Sequence, residues 1–175
     1  IYGFLPGSPT EITVIYAANL FPVVMFGFTC IVFFLLTRKI FYDSFENKHY
    51  PNIIALISVF FLSVIPSLLP RTIAGIPEKE SAGFLFIFLA LYFLILAFKS
   101  SNYKKIMPYF FLSGLLTGIM ALIWGGVTFI FMTVGLSLFI SYVFGLFNKN
   151  KFYGFTIWIL SFMALEFIFS SRFNL

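Results

Sequence analysis

Long apolar runs separated by short polar segments dominate the chain, and the alternation occurs six times. The runs cover approximately residues 12–37, 52–69, 82–98, 108–123, 126–147 and 153–170. Each approaches the roughly 20 residues that an α-helix needs to cross a bilayer. Because no water reaches the hydrocarbon core to pair with backbone groups, such runs must be helical, and they are too uniformly apolar for barrel strands. The pattern predicts an all-α, polytopic membrane protein with about six transmembrane helices.

Prolines modify two of these runs. Asn19 and Pro22 interrupt the first run, which predicts a helix lying on the membrane surface followed by a true crossing. Pro66 and Pro70 weaken the end of the second run, so we expect the chain to leave the helix before Arg71.

A pair of glycines marks a predicted helix contact. Gly114 and Gly118 are four residues apart in the fourth run, the small-xxx-small spacing that lets two membrane helices approach closely.

Composition supports the membrane assignment and excludes other classes. Hydrophobic residues make up 61% of the 175 residues, charged residues only 10%, and the mean hydropathy is +1.05. A soluble domain is normally about one quarter charged. The single cysteine, Cys30, excludes a disulfide framework or a thiolate metal site.

The basic residues predict the orientation in the membrane. One side of the predicted bundle receives eight of them, namely Arg38, Lys39, Lys48, Lys99, Lys104, Lys105, Lys149 and Lys151. The other side receives three, Arg71, Lys79 and Arg172. Because positive charge is retained in the cytoplasm, the first side is predicted to be cytoplasmic and the 70–81 loop extracytoplasmic. The net charge of +5 is therefore a topology signal, and we expect no nucleic-acid partner.

The chain begins Ile1-Tyr2-Gly3-Phe4, without a starting Met or a basic leader. We therefore expect an internal piece of a longer protein.

The strongest candidate for chemistry is a pair of carboxylates in the loop after the second run. Glu78 and Glu80 offer the hard oxygen ligands that Mg²⁺ or Mn²⁺ prefers. The same residues also have a purely structural interpretation. Pro77 followed by two acids is typical of the start of a helix, where negative charge lies near the positive end of the helix dipole.

Three further residues have both a functional and a structural interpretation. Arg71 is suited to bidentate binding of a phosphate or carboxylate, or its side chain extends to the lipid headgroups. Trp124, beside two glycines, offers a flat contact surface or an anchor at the membrane interface. Glu166, inside the last run, is a candidate intramembrane functional group, a carboxylate solvated near the surface, or a residue beyond the true end of the helix.

The order of several segments resembles that of oligosaccharyltransferase catalytic subunits, with an archaeal-like character. The segments are the run 20–29 closing in Leu35-Leu36-Thr37-Arg38-Lys39, then Arg71-Thr72-Ile73-Ala74-Gly75, then Glu78-Lys79-Glu80, and finally Trp124-Gly125-Gly126. The second resembles the family's Ser-Arg-Ser/Thr-x-Ala-Gly segment, and Glu78-Lys79-Glu80 occupies the position of its second acidic motif. The resemblance covers nearly the whole chain.

The resemblance implies a multi-spanning membrane glycosyltransferase of the GT-C type. Its reaction would move an oligosaccharide from a polyprenyl or dolichyl phosphate carrier to Asn in Asn-x-Ser/Thr acceptors, on the extracytoplasmic face. Glu78 and Glu80 would bind Mn²⁺ or Mg²⁺ near the acceptor Asn and the donor pyrophosphate. Arg71 would support that loop or the phosphates.

The chain departs from the family pattern in several places. Glu78 stands where the family usually has Asp, which keeps the charge but adds a methylene. The first acidic motif, the later outer-loop glutamate and the Trp-Trp-Asp acceptor motif are not found in these 175 residues. We therefore expect part of a membrane domain, with an incomplete site and with the soluble C-terminal domain outside this chain.

Two alternatives remain open at the level of sequence. One is another polyprenyl-phosphate-dependent GT-C glycosyltransferase. The other is a non-enzymatic membrane transport or assembly subunit. Transporters usually place ionisable residues near the bilayer midplane, whereas here the acids cluster at the end of a run, which counts against transport.

Overall fold

The computed structural model describes residues 11–145 and 149–169, and in these ranges it contains helices joined by turns, with no strand. The elements in chain order are α1 (Glu11–Phe41), α2 (His49–Ser63), a 3₁₀ turn (Leu69–Arg71), α3 (Glu80–Lys99), α4 (Tyr103–Ile123), α5 (Val127–Val143) and α6 (Lys149–Phe169). The all-α prediction is confirmed. The predicted ends at 147 and 170, together with Arg172 and the first ten residues, lie outside the described residues.

The helices differ in length. By length and composition, α1, α3, α4 and α6 are long and apolar enough to cross a membrane. The other two, α2 and α5, have 15 and 17 residues. At a rise of 1.5 Å per residue they extend only about 22–26 Å, short of the roughly 30 Å hydrocarbon core. The second predicted run ends early, at Ser63, ahead of Pro66.

The predicted break in the first run is wrong, because α1 is continuous through Pro22. Proline removes one helical hydrogen bond, but a helix that stops inside hydrocarbon would leave several backbone groups unpaired. Pro22 is fully buried, so it packs within the bundle. In the turn before it, the carbonyl of Asn19 accepts a hydrogen bond from the backbone N–H of Gly75, at 3.2 Å.

This contact anchors the segment that joins α2 to α3, residues 64–79, which we call the 64–79 loop. Gly75 has a φ of +93°, in the left-handed region that residues with a Cβ rarely adopt. Its conformation directs its N–H towards Asn19 of α1. The anchor therefore depends on a glycine at this position.

The main helices form a row in the order α2, α1, α3, α4, α6. Lys99, at the end of α3, donates hydrogen bonds to the carbonyls of Lys39 and Ile40 at the end of α1, so these two helices are parallel. The next two helices, α3 and α4, are antiparallel neighbours. α5 packs less extensively, because only two of its residues, Ile130 and Val134, are buried. The ring of Phe131 also contacts Trp158 of α6.

The closest helix contact joins α4 to α6 through glycines. A Cβ added to Gly114 would collide with the Ser161 hydroxyl and the Trp158 carbonyl, and one added to Gly118 would lie 3.0 Å from Leu165. The predicted small-residue contact is therefore confirmed. A third glycine, Gly154 of α6, makes room for the ring of Phe110 in the same way.

A buried hydrogen bond joins α4 to α3 on its other side. The Ser113 hydroxyl donates to the carbonyl of Ala90 at 2.8 Å, and both residues are almost fully buried. A serine between two helices satisfies its own polar group and fixes their register. Together with the glycine contact, it makes α4 the centre of the row.

We expect Gly114→Ala to lower the free energy of unfolding by about 1–3 kcal/mol, because the new methyl group meets backbone and a buried hydroxyl that have little freedom to move. The measurement is thermal unfolding of the purified protein in one detergent. Gly135→Ala is the matched control: it is also a helical glycine, but its Cβ would enter open space. Equal stability losses in the two variants would contradict the close-packed contact.

We expect Gly75→Ala to weaken the anchor between the 64–79 loop and α1, at about 1–2 kcal/mol for forcing a Cβ into the left-handed region. Limited proteolysis in the loop should accelerate while the helical content is unchanged. The control is Gly27→Ala, whose Cβ also meets open space but whose φ is ordinary. If the loop of Gly75→Ala resists protease as well as that of the control, the backbone argument fails.

Candidate functional site

The 64–79 loop is folded over part of its length. The 3₁₀ turn Leu69–Arg71 begins one residue before Pro70, and Thr72 follows it, buried. The Thr72 hydroxyl lies 3.2 Å from the carbonyls of both Leu68 and Leu69, to which it donates. The turn sets the position of Arg71, so its side chain emerges from ordered backbone.

The structure brings two of the predicted site residues together. Arg71 Nε lies 3.9 Å from Glu78 Oε2, and the two side chains are 44% and 38% exposed. An ion pair this long and this exposed contributes at most about 1 kcal/mol to stability. Both groups therefore remain available to another charged partner at little energetic cost.

Glu80, the third predicted residue, is the first residue of α3. The hydroxyl of Ser81 donates to the backbone carbonyl of Glu78 at 2.8 Å, which ties the end of the loop to the start of the helix. Acids at this position are stabilised by the helix dipole, as the structural interpretation of the sequence predicted. Within the described part of the chain, Glu80 forms no ion pair.

A cavity of about 530 Å³ lies between the loop and α1. Its walls are Val14, Ala17, Ala18 and Phe21 from α1, with Pro77, Glu78 and Lys79 from the loop. Its volume is in the range of small-molecule sites, which are mostly apolar with a few polar groups. Here one carboxylate and one ammonium group accompany an otherwise apolar wall.

The described side chains do not by themselves form a complete metal site. Over residues 11–145 and 149–169, no three His, Cys, Asp or Glu side chains are grouped closely enough to hold a metal ion. Mg²⁺ and Mn²⁺ are often bound by one or two carboxylates together with water and substrate phosphates. Glu78 and Glu80 are two acids of the type that makes such a contribution.

Trp124 has a packing role that the sequence interpretation missed. Its ring lies against the first turn of α3, where a Cβ on Gly83 would approach Cε3 to 2.8 Å. The ring also contacts Phe84, with centroids 5.5 Å apart. The signal was present in the sequence, because the small residues Ser81-Ala82-Gly83 leave room for a bulky neighbour. Trp124 thus packs against the end of α3 that carries Glu80 and supports it.

Glu166 lies in the last turn of α6 and is only 8% exposed. Its Oε1 atom has no hydrogen-bond partner among the described residues. The interpretation that Glu166 lies beyond the true end of the helix is wrong, because α6 continues to Phe169. Its low exposure argues against solvation near the surface. The residue lines a cavity of about 210 Å³ with Phe162, Met163 and Phe167, separate from the cavity at the 64–79 loop.

Comparison with known proteins gives one match, to a family model. Residues 1–174 match the family described as Oligosaccharyl transferase STT3, N-terminal. No curated protein and no solved structure is similar enough to extend the comparison. The match includes the 64–79 loop, the start of α3 and the Trp124 turn that packs against it. The chain therefore belongs to the oligosaccharyl transferase STT3 family, whose glycosyltransferase chemistry serves N-glycosylation.

Proposed function

We propose that this protein transfers an oligosaccharide from a polyprenyl or dolichyl phosphate carrier to the side-chain amide of Asn in Asn-x-Ser/Thr acceptors. The observation that carries the proposal is the family match over residues 1–174, which includes a loop with an Arg71–Glu78 pair beside a 530 Å³ cavity. The proposed site is the 64–79 loop with the start of α3. The partners are the lipid-linked donor, the acceptor polypeptide and the surrounding membrane lipid.

The carboxylates and the guanidinium group of the proposed site have different roles. An amide nitrogen is a poor nucleophile because its lone pair is delocalised into the carbonyl group. Glu78 and Glu80 would hold Mn²⁺ or Mg²⁺, and the ion would stabilise negative charge on the departing phosphate. Arg71 pairs loosely with Glu78 and would present its N–H donors to a phosphate oxygen.

The cavity suits a donor with an apolar chain and a charged head. The face of α1 that lines it is apolar, whereas Glu78 and Lys79 supply the charged rim. An isoprenoid chain would lie along α1, with its phosphates towards the rim. The Lys79 ammonium group would then offset part of the phosphate charge.

The side of the membrane follows from the loop charges. The sequence pattern assigns three basic residues, Arg71, Lys79 and Arg172, to the side of the 64–79 loop and eight to the other side. Lys99 of α3 and Lys39 of α1 meet at the opposite end of the bundle, which agrees with that division. We therefore place the reaction on the extracytoplasmic face of a multi-pass membrane protein.

The test uses the full-length protein, lipid-linked oligosaccharide and a fluorescent peptide containing Asn-x-Thr, with glycopeptide formation followed at several Mn²⁺ concentrations. We expect Glu78→Gln to lower the transfer rate about a hundredfold or more, the scale on which lost charge stabilisation lowers kcat. Glu80→Gln should behave similarly. Glu78→Asp should retain activity, since it keeps the carboxylate.

Two controls separate metal binding from loop structure. Glu46→Gln removes an acid from the loop at the other end of the bundle and should leave the rate unchanged. Arg71→Gln breaks the ion pair but spares both carboxylates, so its loss of rate should be much smaller than that of Glu78→Gln. An unchanged rate and Mn²⁺ dependence in Glu78→Gln would refute the metal assignment. A wild-type protein that forms no glycopeptide would refute the function itself.

A further inference from the structure

A further cavity, lined by charged and aromatic residues, lies at the opposite end of the bundle from the 64–79 loop. It measures about 150 Å³ and is lined by Leu35, Arg38, Lys39, Tyr42 and Tyr92. The first three lie in the last turns of α1, Tyr42 directly follows that helix, and Tyr92 belongs to α3. Two cations and two tyrosines therefore surround one small space at the end of two parallel helices.

Positive charge is in excess around this cavity. Four cations, Arg38, Lys39, Lys48 and Lys99, accompany two acids, Asp43 and Glu46, in the same region. The hydrogen bond from Lys99, with Coulombic attraction from Lys99, Lys39 and Lys48, lowers the pKa of the Asp43 carboxyl from its ordinary value. Three lysines therefore stabilise the ionised form of this one carboxylate. A net positive charge remains after both acids are counted.

Two of the four cations are occupied by the protein itself. Lys99 Nζ lies 2.7 Å from Asp43 Oδ2 and also donates to two terminal carbonyls of α1. Lys48 Nζ donates to the carbonyls of Tyr42 and Phe45 at 2.9 and 3.1 Å. These lysines hold the 42–48 loop against the end of α1.

The other two cations line the cavity. Arg38 forms no ion pair with a described residue, and Lys39 lies over the Tyr42 ring at 5.7 Å. Basic residues at the end of a helix often serve only to offset the helix dipole. Here Lys99 already satisfies terminal carbonyls of α1, which leaves the Arg38 guanidinium for an external anion.

We propose that the cavity formed by Arg38, Lys39, Tyr42 and Tyr92 binds the phosphate group of an anionic phospholipid. Guanidinium and ammonium groups are the usual donors to phosphate, and Arg binds it through two parallel N–H groups. Basic pockets between membrane helices bind lipid headgroups by the same chemistry.

The surroundings favour a lipid over free phosphate. Leu35 forms the apolar side of the cavity and is itself 36% exposed, so an acyl chain has a surface to follow. Tyr42 and Tyr92 are half-buried aromatic residues of the kind enriched at the headgroup level. The site is independent of glycan transfer and belongs to the end of the bundle that carries most of the basic loops.

The test measures the apparent Kd of the full-length protein for dioctanoyl phosphatidylglycerol by native mass spectrometry in detergent. Dioctanoyl phosphatidylcholine serves as the zwitterionic comparison and inorganic phosphate as the competitor. Arg38→Gln with Lys39→Gln removes the two cavity cations. Lys104→Gln with Lys105→Gln is the matched control, because it removes two exposed cations from the first turn of α4, outside the cavity.

We expect the wild-type protein to prefer phosphatidylglycerol and the cavity variant to bind it roughly 25-fold more weakly, about fivefold for each cation lost near a membrane surface. The control variant should change the Kd much less. If the double variant does not fold, Arg38→Gln alone should weaken binding about fivefold.

Three results would overturn the proposal. Equal losses of phosphatidylglycerol affinity in the cavity and control variants would show that the overall positive charge attracts the lipid without a specific site. Equal affinity for the two lipids would exclude recognition of net negative charge. Displacement of the lipid by millimolar inorganic phosphate would assign the cavity to the free anion instead.

Discussion

Membrane helices gain little from burying apolar side chains against one another, because lipid is as apolar as the helix surface. Close contact and hydrogen bonding must supply the association, and in this protein both converge on α4. Gly114 and Gly118 bring α6 to backbone distance, while Ser113 bonds the carbonyl of Ala90 in α3. The row of helices depends on these contacts, and so does the position of α3, which carries one edge of the proposed active site.

The 64–79 loop is fixed by three small contacts, two near its middle and one at its far end. The Thr72 hydroxyl closes the turn that presents Arg71, and the Gly75 N–H reaches the carbonyl of Asn19. At its far end, Ser81 holds the carbonyl of Glu78. No single one of these is strong, and together they order the backbone while leaving the charged side chains partly exposed. Such an arrangement suits a site that must accept large, charged substrates.

The helical architecture could be predicted from the sequence because hydrocarbon permits few alternatives. The same constraint explains why the prediction around Pro22 was wrong: proline's local preference is weaker than the demand for paired backbone in α1. The predicted second helix was too long because the apolar run continues to Leu69, although Pro66 prevents an α-helix there. Gly114 was predicted by spacing, whereas Gly154 was not, since it has no partner glycine on its own helix and is explained only by the Phe110 ring opposite.

The carboxylates were predicted by residue type, but the pairing of Glu78 with Arg71 depends on how the loop folds back, which no local pattern encodes. The hydrogen bond from Gly75 to Asn19 also depends on how the loop folds back. It has a consequence for the order in which contacts form during synthesis. Asn19 leaves the ribosome 56 residues before Gly75, so this part of α1 emerges before its partner. The Asn19 carbonyl gains the Gly75 N–H only after α2 and the loop have followed. This contact of the first helix is thereby coupled, during biosynthesis, to the folding of the segment that carries the proposed active residues.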